Sequence, residues 1–229
     1  MTPIYVPRGK AKEYGDYALN IYTGCPHRCY YCFAPNVLHK DREQFHSCVE
    51  PRKNIVAETR KQLEKDTTLR DKLIHLCFTC DPYPTGYDTT PTREIIKLLK
   101  EYENHVQILT KGVGIRDIPL LDDRDWYGIT IDGSERLGEL AEGKLSALAT
   151  AHKSGINTWV SFEPIIDDKA VLFYLERFSH LFNKVKLGKL NYYKSDIDWK
   201  QFGLKAEETC KRLGIEYYIK ESLREEMGK

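Results

Sequence analysis

Three cysteines fall close together in the stretch Thr23-Gly24-Cys25-Pro26-His27-Arg28-Cys29-Tyr30-Tyr31-Cys32-Phe33-Ala34, at a C-x3-C-x2-C spacing. Thiolates are soft ligands suited to iron-sulfur clusters, zinc or copper, and three of them on one tight loop can grip three corners of a metal cluster. A four-iron, four-sulfur cluster held in this way keeps one iron with no protein ligand, and that iron can bind a small molecule and pass it an electron. Structural zinc is the other chemistry this set allows. Zinc normally takes four protein ligands, and the ready fourth candidates are His27, His39 and Cys48.

The elements that must position these thiols are legible as an alternation. Asp16 to Tyr22 predicts a strand, which puts the cysteine loop at a strand's C-terminal end. Asn54 to Leu63 has helical spacing, with Ile55, Val56, Thr59 and Leu63 on one side. Leu73 to Thr79 predicts a strand broken by Cys80-Asp81-Pro82-Tyr83-Pro84. A helix then starts with Thr90 as cap and Pro91 at its first position. Further strands are expected at Val106–Thr110, Tyr127–Ile131, Asn157–Phe162, Val185–Leu190 and Ile215–Ile219. Helices are expected at Leu145–His152, Lys169–Leu181 and Ala206–Leu213, the first closed by Gly155 and the last by Gly214. Strands alternating with helices imply parallel pairing with right-handed crossovers, and seven strand signals suit an open barrel better than a closed eight-stranded one. The expected fold is therefore α/β, an open partial barrel with a parallel sheet and outer helices, in a single domain over residues 16–229. Residues 1–15 read as an irregular leader.

At Cys25, Cys29, Tyr31 and Cys32 the chain resembles the radical S-adenosylmethionine superfamily, whose signature is C-x3-C-x-aromatic-C. The flanking Asn20-Ile21-Tyr22-Thr23-Gly24-Cys25 and Tyr31-Cys32-Phe33-Ala34 are similar to the spore photoproduct lyase-like branch, as are Asp81-Pro82-Tyr83, Thr110-Lys111 and the stretch from Thr130 to Ile166. The resemblance implies a partial barrel, usually of six strands, and a [4Fe-4S] cluster on Cys25, Cys29 and Cys32. It also implies reductive cleavage of S-adenosylmethionine to a 5'-deoxyadenosyl radical that abstracts hydrogen from a substrate. A reducing electron donor such as flavodoxin or ferredoxin would serve such a site.

In β/α barrels, strand C-termini carry the chemistry and converge on one mouth. Asp81, Thr110, Lys111, Thr130, Asp132 and Glu163 are thus expected beside the cysteine loop, together with Tyr31 of the signature. S-adenosylmethionine needs a partner for its carboxylate, acceptors for its amino group and ribose, and an apolar slot for adenine. Lys111 suits the carboxylate, and Asp132 or Thr130 the ribose. The plain alternatives are a solvated loop charge for Lys111, a turn cap for Glu163 and an Asx-turn for Asp81.

Cys77 and Cys80 form a C-x2-C pair, but side chains three apart on a strand point to opposite faces, so joint chelation requires that the strand has ended. Cys80 is a candidate hydrogen-atom donor at the strand's exit. Spore photoproduct lyase uses a cysteine in this neighbourhood, whereas Phe78 occupies the aligned slot in this chain. Cys48, Cys77 and Cys210 read as structural. The segment from Lys184 to Lys200 carries five lysines with Tyr192, Tyr193 and Trp199 between them. Such a mix suits a nucleic-acid backbone or a solvated face, and Asp196 and Asp198 dilute it.

Composition narrows the partners. Over 229 residues, 35 basic and 34 acidic side chains leave a net charge of +1, so no global basic field announces nucleic acid or a membrane. A nucleic-acid substrate stays open through a local groove, as does a non-catalytic iron-sulfur redox or binding-partner protein. No apolar run approaches the roughly 18 residues needed to cross a bilayer, and the N-terminus lacks a signal pattern. Seven cysteines, an odd number, fit a reducing compartment, so a cytoplasmic protein is expected.

Overall fold

The computed structural model describes residues 2–134 and 139–229. The chain groups into two compact units, Met1–Trp126 and Tyr127–Lys229. Both are α/β.

In the first unit, β1 (Ile4–Tyr5) pairs antiparallel with β2 (Tyr17–Leu19), so the leader contributes an edge strand and a 3-10 turn (Gly9–Glu13) and is not wholly irregular. The cysteine loop follows, then α1 (Ala34–Val37), α2 (Arg42–Ser47), α3 (Ile55–Lys65), β3 (Leu73–Leu76), α4 (Thr90–Glu101), β4 (His105–Thr110) and a 3-10 turn (Ile115–Leu120). β2 pairs parallel with β3, and β3 parallel with β4. Ala18, Leu19, Ile74, Leu76, Val106 and Ile108 are wholly buried along these strands. The helices cover them with apolar stripes such as Ile95, Ile96, Leu98 and Leu99 of α4. That helix begins as the Thr-Pro signal suggests, but its cap is shifted. Thr90 is the first helical residue, and Asp88 Oδ1 accepts its N–H at 2.9 Å and its hydroxyl at 2.7 Å.

β5 (Trp126–Thr130) spans the boundary. The second unit continues with α5 (Glu139–Lys153), β6 (Asn157–Ile165), α6 (Asp168–Phe178), a 3-10 turn (Ser179–Leu181), β7 (Lys184–Lys189), α7 (Trp199–Leu213), β8 (Glu216–Ile219) and α8 (Glu221–Glu226). β6, β7 and β8 pair parallel in that order. Helix starts follow local chemistry, since Asp167 and Asp198 each accept the N–H three residues on at 2.9 Å. Gly214 closes α7 at φ 67, the left-handed geometry in which glycine carries no Cβ penalty. The strand predicted to stop at Phe162 runs on to Ile165, with a shift in register between Phe162 and Ile165, so Glu163 lies within β6.

The lysine-rich stretch is not one exposed face. Lys186 is buried in β7, its ammonium 5.6 Å from the Trp159 ring and 5.4 Å from the Tyr218 ring. Among the described residues, no helix is long and apolar enough to cross a membrane.

Candidate metal centre

The loop from Thr23 to Phe33 leaves β2 without regular structure, so other segments must hold its backbone. Most of that support comes from residues 40–51. Thr23 N–H donates to Glu50 O at 2.9 Å and Cys25 N–H to Phe45 O at 3.2 Å. His46 Nδ1 lies 2.7 Å from Cys25 O, and Lys40 Nζ donates to Thr23 O at 2.8 Å. The Arg42 guanidinium gathers the far side, donating to Cys32 O at 3.1 Å, to Tyr30 O at 2.7 Å and to Cys29 O. A planar fork with several donors can collect three carbonyls in this way, and a lysine cannot.

Gly24 is required at the loop's entrance. A Cβ there would sit 2.4 Å from Phe45 O and 2.6 Å from Cys48 O, so loop and α2 touch backbone to backbone. The three thiols are half-buried and unbridged. Burial first, with Asp81 nearby, pushes the Cys25 thiol up, and burial does the same for Cys32.

A single zinc ion would draw its sulfurs to within about 4.6 Å of one another, twice a Zn–S bond. Among the described residues, three ligand atoms lying within 4.8 Å of one another belong to His105, Asp122 and Asp125, and Cys25, Cys29 and Cys32 do not form such a group. The His105 group is already filled, because Lys100 Nζ donates to Asp122 at 2.6 Å and to Asp125 at 2.7 Å.

Asp81 ties the loop to the strand ends. It is only 7% exposed. Its Oδ1 accepts the Thr110 hydroxyl at 2.5 Å and the Tyr83 N–H at 2.8 Å, and its Oδ2 accepts the Lys111 N–H at 2.8 Å and faces His27 Nδ1 at 3.3 Å. Burial works against the charge, but these partners outweigh it and hold the carboxyl below its usual range. Asp81 is thus an Asx-turn residue and also a junction between the ends of β3 and β4 and the cysteine loop. Thr110 is equally committed, its oxygen also accepting the Gly112 N–H at 2.8 Å. Gly112 and Gly114 let this corner close on Tyr83, whose carbonyl would lie 2.0 Å from a Cβ at Gly112.

Lys111 reaches the signature aromatic, with Nζ 2.5 Å from the Tyr31 hydroxyl and 5.2 Å from the centre of its ring. Five of the expected residues, Tyr31, Asp81, Thr110, Lys111 and the loop's Cys25, therefore belong to one neighbourhood of the first unit. Sequence reasoning missed Lys40, Arg42 and His46, which carry no motif, and gave His27 only a metal-ligand role.

Cys29, Cys32 and Cys80 also lie in the first unit, whereas Thr130, Asp132 and Glu163 lie in the second. Thr130 ends β5, and its carbonyl accepts Lys144 Nζ at 3.2 Å. Asp132 turns the chain beyond it, Oδ1 accepting the Ser134 N–H at 2.9 Å and its hydroxyl at 2.5 Å, next to Gly133 at φ 88. Glu163 Oε1 accepts Lys220 Nζ at 2.6 Å.

Cys77 and Cys80 depart from the strand geometry expected of them. β3 stops at Leu76, and Cys77 takes a left-handed φ of 72. The opposite-face argument fails because the strand has already ended. No protein-family model matches this chain, and no curated protein matches it.

Proposed function

We propose that the chain is a radical S-adenosylmethionine enzyme, built as a partial barrel and working in the cytoplasm, that holds a [4Fe-4S] cluster on Cys25, Cys29 and Cys32. The observation that carries this reading is the three-thiol loop itself, braced by Arg42, Lys40 and His46 and joined through Asp81 to the ends of β3 and β4. When bound, the cluster and S-adenosylmethionine would supply one-electron chemistry and a 5'-deoxyadenosyl radical for hydrogen abstraction, with flavodoxin or ferredoxin as reductant. The protein's own part is positional. Arg42 fixes the carbonyls of Cys29, Tyr30 and Cys32, and Gly24 allows that loop to seat on α2. Lys111, near the loop yet carried by the end of β4, offers an ammonium to a carboxylate, and Tyr31 orients it. Thr130, Asp132 and Glu163 are the proposed acceptors for ribose and amino group. Cys80 is the proposed hydrogen-atom donor, and a lyase-like reaction on nucleic acid is the substrate reading that follows from the resemblance.

Anaerobic reconstitution with iron and sulfide, then dithionite and S-adenosylmethionine, tests the proposal by measuring 5'-deoxyadenosine. The expected result is a brown protein whose cofactor cleavage is lost in Cys25→Ala, Cys29→Ala and Cys32→Ala. A colourless protein with stoichiometric zinc overturns it. A fully assembled cluster without cleavage points instead to a redox or binding-partner protein.

A further inference from the structure

Strands β6, β7 and β8 present two unlike faces. On one, Val160, Phe162, Val185 and Leu187 are wholly buried and Ile219 nearly so. The alternate positions are polar and yet buried. Ser161 pairs in register with Lys186, and Lys186 with Tyr218, so the three side chains leave the sheet on the same side. Ser161 is 1% exposed and Lys186 7%. The Lys186 ammonium stands over the Trp159 and Tyr218 rings, at 5.6 and 5.4 Å. Further along the same face, Lys220 and Glu163 form an ion pair of 2.6 Å that folds across Gly188, where a Cβ would come 3.0 Å from both Glu163 Cγ and Lys220 Cδ. Ser161 Oγ has no hydrogen-bond partner among the described residues. A buried hydroxyl left in that state costs stability unless some further group accepts its hydrogen bond.

We propose that Ser161 and Lys186 form a subsite for the carboxylate of a small molecule. One carboxylate oxygen accepts the Ser161 O–H and the other faces the Lys186 ammonium, both of them charge-assisted contacts of the kind that offset burial. An anion fits this face because two ammonium groups, Lys186 and Lys220, share it with one carboxylate, Glu163. The burial sets the size of the ligand, since a polymer backbone cannot lie against side chains less than a tenth exposed. A carboxylate suits the row better than phosphate, which brings further oxygens that must also find donors in the same buried space. The subsite goes beyond the radical chemistry proposed above and does not rest on it. Binding is read on the metal-free chain without S-adenosylmethionine, whose own carboxylate has Lys111 of the first unit as its proposed partner.

The sequence has three tryptophans, and Trp126→Phe with Trp199→Phe leaves Trp159 as a reporter beside Lys186. Its fluorescence is followed in the full metal-free chain as sodium acetate replaces sodium chloride at constant ionic strength, up to about 100 mM, which saturates a site with a Kd of about 1 mM. Sodium phosphate is titrated in parallel. The expected result is a saturable change with acetate. Ser161→Ala, which removes one buried oxygen and little else, should weaken acetate binding at least about tenfold, as loss of a hydrogen bond to a charged group does, and Lys186→Met at least as much. Acetate should also raise the melting temperature of the parent and lose that effect in Ser161→Ala, a difference that a merely structural hydroxyl would not produce. No saturable response, a response unchanged in Ser161→Ala, or tighter binding of phosphate than of acetate overturns the proposal.

Discussion

Replacing Asp81 by asparagine should loosen the corner at which the cysteine loop meets β3 and β4. Asparagine keeps the size but presents one oxygen and one NH2 where the carboxylate presents two oxygens. Oriented to keep Thr110 and Tyr83 on its oxygen, it turns the NH2 toward the Lys111 N–H, now 2.8 Å from Oδ2. That N–H loses its acceptor, at about 1–3 kcal/mol, while the two retained bonds each lose their charge assistance, at about 0.5–1 kcal/mol. His27 can adjust by changing tautomer. The sum is about 3 kcal/mol, or roughly a hundredfold in the opening equilibrium. Hydrogen exchange on the metal-free chain reads it directly, because the Lys111 and Tyr83 amides are among those affected. Exchange in the peptides covering residues 81–83 and 110–112 should rise by about that factor, with α7 of the second unit unchanged. Unaltered exchange in the metal-free protein would refute the junction role and leave Asp81 free for a cofactor contact alone.

Gly24→Ala should cost about 1–3 kcal/mol in overpacking and lower iron uptake, since its Cβ would lie 2.4 Å from a carbonyl oxygen; iron analysis after reconstitution checks it. Arg42→Lys should leave secondary structure intact by circular dichroism but speed iron loss to a chelator, because one ammonium cannot hold three carbonyls as the fork does. Asp117, wholly buried and bonded by Arg93 at 2.6 Å and Arg116 at 2.8 Å, is held below its usual range; burial opposes this, and the two arginines outweigh it. Its contribution to stability is complete above the ordinary aspartate value of about 3.9 and lost as pH falls through the lower folded value. Asp117→Ala should therefore lower the urea midpoint at neutral pH and flatten the decline toward acid.

The cysteine spacing singles out the loop because candidate ligands stand in adjacent residues. The stop at Gly214 is legible in the same local way, since one missing Cβ decides the outcome, whereas the helix expected from Ala206 begins at Trp199, behind the cap Asp198 that the sequence reading passed over. What holds the loop was hidden: Lys40, Arg42 and His46 act through backbone carbonyls 10–21 residues away, a relation with no sequence period. α1 and α2 are too short to show helical periodicity, and β1 too short to show alternation. Cys77 misled for a different reason. Leu73 to Thr79 reads as one apolar run, yet Asn20, some 58 residues earlier, captures the Phe78 and Thr79 amides and ends the strand early. Asp81 was legible both as an Asx-turn and as a functional residue, and it is the first while also serving as a junction.

The bracing of the cysteine loop is short in sequence as well as in space. Its backbone partners lie between Lys40 and Glu50, and an isolated bridge from Tyr22 to Pro51 closes the circuit. Bringing such neighbours together costs little chain entropy, since closure cost grows with the logarithm of the enclosed length. A ribosome adding about 5–20 residues per second has supplied every one of those braces within seconds, well before β6 exists. The thiols are thus presented early, on a nascent segment, and the Asp81 junction arrives later to clamp a loop whose shape is already set.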